Sequence, residues 1–546
     1  MIRIKVMNII RINERMMGSN ATPIIEKIIA DAPDGSTILF EPGTYVLLAA
    51  IKIFGKNNLT LDGTGATLSP YFTREGSADT GVGAIIAECC NNLVIRGFNV
   101  CATEPCNTAG TVINATENYV DVKLNIDEDF TGREQFIAGM IWNDDWTPRR
   151  YHWISTDFDP NQLSNVGGEL ACAAPKKLNC PHEMLDGKTV RVFTKWLKWG
   201  PYSKSITALE PGTKCTVSHA YYGLVAFITK NCDTVLFEGV TLSNFAGFGF
   251  LVCPGCRDFT FRRLTLASND REHHPYCITS DGLHFMGLSG KLIIEDCLFD
   301  TNGDDRVNVH TLVMTVTALE DNKMSVSFKK PGGTVSKYWA SAGDLLRVYN
   351  PETLELKGKM LVTEADCGNV TFDPNGVDIQ LGDYITNDKY YPDVIIRRNT
   401  FQRCGGRQLC LQGSDNLLVE DNKFYSHGSC CLYLSSAFDY WYEAGPLSNV
   451  TIRNNLFKDM ITEVIDTRST IIIQINGERH QNIPPVHKNF LIENNRFENI
   501  CVKRIDAKLT DGLVIRNNEF VNCSKEYENM TFENCVNVVC ENNTEI

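Results

Sequence analysis

Nine eight-residue segments of the chain share one arrangement of apolar and polar positions. They are LVIRGFNV (93–100), VLFEGVTL (235–242), FTFRRLTL (259–266), LIIEDCLF (292–299), VIIRRNTF (394–401), LLVEDNKF (417–424), VTIRNNLF (450–457), FLIENNRF (490–497) and LVIRNNEF (513–520). In each, three mostly apolar residues precede two or three polar ones, and the segment closes on an apolar position. The tightest spacings between closing positions are 24 (266 − 242), 23 (424 − 401) and 23 (520 − 497). A period in the low twenties, rich in β-branched residues and lacking helical periodicity, predicts a solenoid of short strands. The fixed Leu-and-Asn pattern of a leucine-rich repeat is missing. The fold class read from this is all-β, a right-handed parallel β-helix. The recurrent asparagine doublet fits it, because Asn tolerates left-handed backbone at a corner and stacked Asn side chains can hydrogen-bond along the column. At the start, DAPDGSTILFEPGTYVL (31–47) reads as a turn and strands, and Ile24 to Ala30 as a helix that caps the exposed end.

Two gaps interrupt the ladder: 142 residues between closing positions 100 and 242, and 102 between 299 and 401. Both alternate like strands, as in KTVRVFTKW (188–196) and DLLRVYN (344–350), which predicts two inserted, small β-barrel-like domains. The expected organisation is residues 1–102 as cap and first coils, 103–222 as the first insert, 223–312 as coils, 313–392 as the second insert and 393–546 as the last coils. Trp142, Trp146, Trp153, Trp196 and Trp199 all fall in the first insert, either as sugar-stacking plates or as the core of a small barrel.

Composition narrows the chemistry. Asp plus Glu number 66 against 52 Lys plus Arg, a net charge of -14, which disfavours nucleic acid, anionic membranes and polyanionic polysaccharides. A neutral ligand suits it better. No stretch approaches the roughly 20 apolar residues that span a bilayer. The first twenty residues carry arginines and a glutamate where a signal peptide would be apolar, so the expected location is cytoplasmic. The 21 cysteines are scattered and form no compact disulfide framework; Cys253 and Cys256 make a CxxC without a second pair at zinc-site spacing.

The stretch TNGDDRVNVH (301–310) sets Asp304 beside Asp305, just before a strand-like alternation, and TSDGLHF upstream opens a strand with Asp281. The separation 304 − 281 is 23, one coil, so the winding brings three carboxylates onto one face. A single Asp at a turn caps backbone amides. Three together repel and raise at least one pKa, which serves an acid–base pair that needs one protonated and one ionised group. A calcium site is the other use of such a cluster. Paired acids on a long grooved surface point to glycosidic bond cleavage, with retention or inversion set by a separation that the spacing leaves undecided.

SDGLHF, LIIEDCLFDTNGDDRVNVH and YWYEAGPLSNVTIRNNLF together resemble glycoside hydrolase family 110, the α-1,3-galactosidases, over most of the chain. The resemblance implies an exo-acting enzyme that releases terminal α-1,3-linked galactose with inversion and uses no metal or organic cofactor. It implies Asp281, Asp304 and Asp305 as the catalytic set, with Asp281 as acid and the pair as base, and a glycan with terminal α-galactose as partner. The polygalacturonases share an aspartate one coil before an aspartate pair, but their Gly-His-Gly and Arg-x-Lys signatures are missing: the next coil gives GGRQL, with Arg407. Trp441 and Glu443 are read as an aromatic plate and an acceptor for the sugar, or as packing. Arg407 would donate to sugar oxygens or settle the local charge. The excess loop NDREHHPY holds Arg271, His273 and His274, at the mouth of the site or as a solvated turn. His310 ends the strand that carries the pair, as a ligand contact or a core histidine. A non-catalytic glycan-binding β-helix and a polysaccharide lyase are the remaining alternatives.

Overall fold

The computed structural model describes residues 8–16, 18–72, 82–116, 118–127, 138–142, 148–155, 182–193, 197–199, 210–219, 224–328, 335–404, 406–427, 430–438, 441–460, 469–477 and 479–546. Among the described residues, parallel ladders of 13, 11 and 12 strands run along a single axis, each strand pairing with those one coil away, and one short antiparallel strand joins the second ladder from outside. The nine segments seen in the sequence stack in register: Val235 lies between Leu93 and Phe259, and Leu292 between Phe259 and Val394. Their alternation sends Leu292, Ile294 and Phe299 into one continuous core along the axis.

Two ladders fix that register. The closing phenylalanines 299, 401, 424, 457 and 497 stack with ring centroids 4.9, 5.0, 4.9 and 4.8 Å apart, which is the rise between neighbouring strands. The asparagine doublet divides its work. Its first member takes the left-handed corner, with φ of 56° at Asn454, 54° at Asn494 and 54° at Asn517. Its second member forms the ladder. Asn455 donates through both its amide nitrogen and Nδ2 to Asn495 Oδ1 at 3.0 Å; Asn422 donates likewise to Asn455, Asn495 to Asn518, and Asn518 to Asn543. A third device is charge. The position before each corner alternates in sign along the axis, so that Arg262 and Arg397 both bond Glu295 (2.7 and 2.8 Å), Arg453 bonds Glu420 (2.7 Å) and Arg516 bonds Glu493 (2.9 Å). A coil slipped by one place would part these pairs and could set a charge against a core position, Arg453 against Val419 for example.

The capping helix runs Thr22–Asp31, somewhat longer than predicted, and turns Ile25 and Ile29 into the core at the first coil. The first insert is an antiparallel sheet of eight strands among the described residues, with its own valine-rich core around Val112, Val122, Val190 and Val217. Trp142, Trp153 and Trp199 lie on its strands, while Trp146 and Trp196 fall outside the described residues. The second insert closes into a six-stranded barrel. It begins one residue after the strand Val307–Leu312 ends, at Met314. It sits on the outer face of the helix, where Ile228, Leu251 and Met286 pack with Met314, Trp339 and Val348.

The ladder predicts an asymmetry within the Asn454–Asn455 doublet. Asn455→Ala strands buried partners on both neighbouring coils and is expected to cost about 3 kcal/mol or more. Asn454→Gly, at a left-handed corner, is expected to change stability by under about 1 kcal/mol. Thermal or denaturant unfolding of the two variants measures the difference; equal losses would show that the ladder does not hold the register.

Candidate active site

The acids stand in a corner of the β-helix, each just before a strand of the sheet that carries Leu283–Met286, Val307–Leu312 and Leu409–Leu411. Leu283 pairs with Val307, an offset of 24 (307 − 283), so Asp281 is level with Asp305, not with Asp304 as the spacing of 23 suggested. The coil is one residue longer because Asp304 lies opposite Ser280. Backbone bonds hold the column, Gly282 N to Asp305 O at 2.8 Å and Arg306 N to Arg407 O at 3.1 Å. Asn302 clamps the pair from beneath, its Nδ2 donating to the carbonyls of Asp304 (3.2 Å) and Asp305 (2.9 Å). With their backbones pinned, one oxygen from each of Asp281, Asp304 and Asp305 falls within 4.8 Å of the others.

Arg407, one coil on, completes the column. Its Nε and terminal nitrogen reach the two oxygens of Asp305 at 2.7 and 2.6 Å, and its amide donates to Asp305 Oδ1 at 3.1 Å. A buried bidentate pair of this kind is held by geometry as well as charge. Burial raises Asp305 to about 6, Arg407 pulling downward and Asp304 upward, so at neutral pH Asp305 is an anion. Asp281 differs. Burial, then the charges of Asp304, Asp305 and Glu443, hold it well above the usual carboxylate range, with Arg407 too far along the column to reverse this. The corner therefore sets side by side two carboxyls of which Asp281 holds its proton the more tightly, the kind of division that acid–base chemistry requires.

Behind Asp281 runs a chain of rings. Asp281 Oδ2 lies 2.7 Å from His284 Nδ1, His284 Nε2 lies 3.1 Å from His310 Nε2, and His310 Nδ1 donates to the Thr311 carbonyl at 3.0 Å. Glu443 arrives on a short return strand, Glu443–Ala444, paired antiparallel with Thr311 and Leu312. Its carboxylate accepts from Asn308 Nδ2 (3.3 Å) and approaches His310 Nε2 at 4.0 Å. Among the described residues, Asn308 Oδ1 is buried without a partner, an acceptor that a bound hydroxyl would satisfy.

Of the residues marked in the sequence, the structure thus gathers Asp281, Asp304, Asp305, His310, Arg407 and Glu443. Trp441 is half-buried, two residues before Glu443. Arg271 and His274 make contacts of their own on the loop beside the site. Arg271 bonds Asp300 at 2.5 Å, in a cluster with Arg403. His274 Nδ1 donates to the carbonyl of Asn107 (2.7 Å), and Asn107 exchanges further bonds with Tyr276. The long loop is docked on the rim of the first insert, a partner invisible to loop-length counting. His284, Asn302 and Asn308 were missed. Their signal was a polar residue inside, or just before, an apolar strand, which the repeat alone does not distinguish from a solvated position.

Among the described residues, two sets of ligand-type atoms are compact enough to consider for a cation, those of the three aspartates and those of His284, His310 and Glu443. Each set is engaged by contacts of its own. In the first, both oxygens of Asp305 are taken by Arg407, whose positive charge occupies the role a calcium ion would play. In the second, the two imidazole nitrogens are closed on each other by a hydrogen bond.

Residues 365–484 match the family described as "Right handed beta helix region". The chain is 25% identical to Alpha-1,3-galactosidase B of Bacteroides thetaiotaomicron, over 96% of this chain and 88% of that one. It is 24% identical to Alpha-1,3-galactosidase A of Bacteroides fragilis, over 85% of this chain and 74% of that one. Among solved structures it is similar to a polygalacturonase from Erwinia carotovora ssp. carotovora, with a TM-score of 0.39 and 12% identity over 99% of this chain and 96% of that one.

The raised Asp281 makes a stability prediction whose sign is fixed. The folded chain keeps a proton that the unfolded chain releases above the ordinary value of 3.8, so stability falls as pH rises above that value, by up to about 1.4 kcal/mol per unit. Asp281→Asn removes the penalty. The variant is expected to be more stable than the parent at pH 7 and nearly equal to it at pH 4, in melts at the two pH values; parallel profiles would contradict the assignment.

Proposed function

We propose that the protein is an exo-acting glycoside hydrolase that releases terminal α-1,3-linked galactose from glycans, with inversion at the anomeric carbon. The observation that carries the reaction type is the column itself, three carboxyls with one oxygen of each within 4.8 Å of the others, of which Asp305 is paired with Arg407 and Asp281 is backed by His284. Asp281 protonates the leaving oxygen as the glycosidic bond breaks, and the Asp304–Asp305 pair takes a proton from the attacking water. Because both oxygens of Asp305 are held by Arg407, the proton transfer falls to Asp304, the less buried of the two, and Asp305 supports it by its charge. Gly406 keeps that position open: a Cβ there would lie 3.0 Å from Asp304 Oδ1 and 2.8 Å from its carbonyl carbon.

Two features support action at a chain end on a neutral sugar. On one side of the acids the outer face of the sheet is covered by the barrel, through Ile228, Leu251 and Met286, so the groove is blind in that direction. The net charge of -14, and an Arg407 already engaged by Asp305, suit a neutral ring better than a uronate, which argues against the pectin-degrading alternative. The choice of α-1,3-linked galactose rests on the likeness to proteins of that activity over most of the chain. A pure binding module gains nothing from three acids whose repulsion costs stability. A retaining mechanism is the second reading, favoured by carboxylate oxygens within 4.8 Å, close to the roughly 5–5.5 Å of retaining pairs rather than the roughly 6.5–9.5 Å of inverting ones.

A panel of branched and linear α-1,3-galactosides, with the anomer of the released sugar followed by NMR, tests this directly. Galactose should appear first as the β anomer; the α anomer first would establish retention, and no release from any member would overturn the proposal. The pH profile should lose activity as pH falls through about 6, where Asp305 takes up a proton. Asp305→Asn is expected to abolish turnover in a folded protein. Gly406→Ala, whose Cβ would press on the Asp304 backbone as well as its carboxyl, is expected to lower kcat about 100-fold and to lower the melting temperature with it.

A further inference from the structure

We infer that Asp281, His284 and His310 form a proton-sharing relay anchored on the Thr311 carbonyl, in which the two histidines are positioning residues that keep Asp281 supplied as the acid. The inference rests on the reading of Asp281 as the acid and deepens it.

The argument is a count of hydrogens along a fixed chain. The Thr311 carbonyl can only accept, so His310 Nδ1, 3.0 Å away, carries a hydrogen. If His310 is neutral, its Nε2 presents a lone pair, and the 3.1 Å contact with His284 Nε2 requires His284 to donate. A neutral His284 then presents a lone pair at Nδ1, and the 2.7 Å contact with Asp281 Oδ2 requires the carboxyl to hold the proton. Moving that proton onto His284, or onward to His310, leaves both contacts satisfied with the donors reversed. All three arrangements contain one proton beyond a carboxylate and two neutral rings. When that proton is removed, one of the two contacts sets lone pair against lone pair, inside a site where all three side chains are buried to at least nine-tenths. An unmade hydrogen bond there costs its full desolvation, so the chain draws a proton back.

The balance over a turnover follows. The O–H bond of Asp281 breaks as the leaving oxygen gains the hydrogen, and the relay is then one proton short. The base meanwhile has gained one from water, so a proton passes from base to relay between cycles without any other reactant. Glu443, with 18% of its side chain exposed and Oε1 4.0 Å from His310 Nε2, stands at the outer end of the path. The other charged or titratable groups facing the relay are Asp304 and Asp305 from the same corner, Arg407 one coil on, and Cys410 on the next strand. His284 is held in place by edge contacts with Phe248 and the His310 ring, at centroid distances of 5.4 and 5.1 Å.

Kinetics and ring NMR test this separately. His284→Ala is expected to lower kcat/KM on an α-1,3-galactosyl disaccharide about 100-fold and to move the alkaline limb of its pH profile downward. Its effect on an aryl α-galactoside with an acidic phenol, which leaves without a proton, is expected to be under about tenfold. Equal losses on both substrates with an unmoved limb would reduce His284 to a structural residue and overturn the inference. If His284→Ala does not fold, His310→Gln breaks the outer contact and should move the limb in the same direction; an unmoved limb there overturns it equally. Ring nitrogen spectra of protein labelled at its ten histidines need no activity. Two rings should share one proton across pH 5 to 8, and should titrate separately in Asp281→Ala. Shared-proton signals in a protein that cleaves no galactoside would uphold the relay while removing the proposed substrate, whereas separate titration in the parent would overturn the relay whatever the activity. Binding of one equivalent of zinc, lost in His310→Gln, would mean that the rings share a metal rather than a proton, and would also overturn it.

Discussion

The rest of the structure depends on register between successive coils. A parallel β-helix has no other means of bringing distant residues together, and a slip of one residue would turn every core side chain outward and every groove side chain inward. Three columns of different chemistry oppose such a slip: stacked phenylalanines, hydrogen-bonded asparagines and alternating charges. The first resists by packing, the second by the cost of unsatisfied buried amides, and the third by the loss of its ion pairs. Each is weak against some distortion that another resists.

The acidic corner is what this rigidity makes affordable. Three carboxylates within 4.8 Å would spread apart on a flexible loop. Here Asn302 pins two of the carbonyls and the ladder pins the backbone on both sides. Arg407 neutralises one charge, the histidine chain sits behind another, and the pKa values divide accordingly. The inserts do for access what the coils do for geometry. The barrel covers the groove on one side, and the first insert holds the loop around His274 against its rim.

Much of the site was legible by counting coils. Asp281, Asp304, Asp305 and Arg407 follow from the repeat, because residues one period apart must stack. Glu443 and His310 follow from their closeness in sequence to a coil end or to the acidic strand. Counting failed where a side chain's partner lay off the ladder. Arg271 and His274 belong to a loop whose length was conspicuous, and the sequence did not show that this loop is tied to the first insert and to Asp300. His284 stood in plain view three residues after Asp281, but that spacing brings two side chains together only where a corner precedes the strand.

The sequence by itself determined the fold class and the column of acids, because periodic burial and strand spacing are local rules repeated from coil to coil on either side of the two inserts. Only the tertiary structure decided which carboxyl holds its proton the more tightly. That depends on burial, on Arg407 and on the direction of hydrogen bonds through His284 and His310, and these are sums over neighbours from several coils and a return strand that no single stretch of sequence contains.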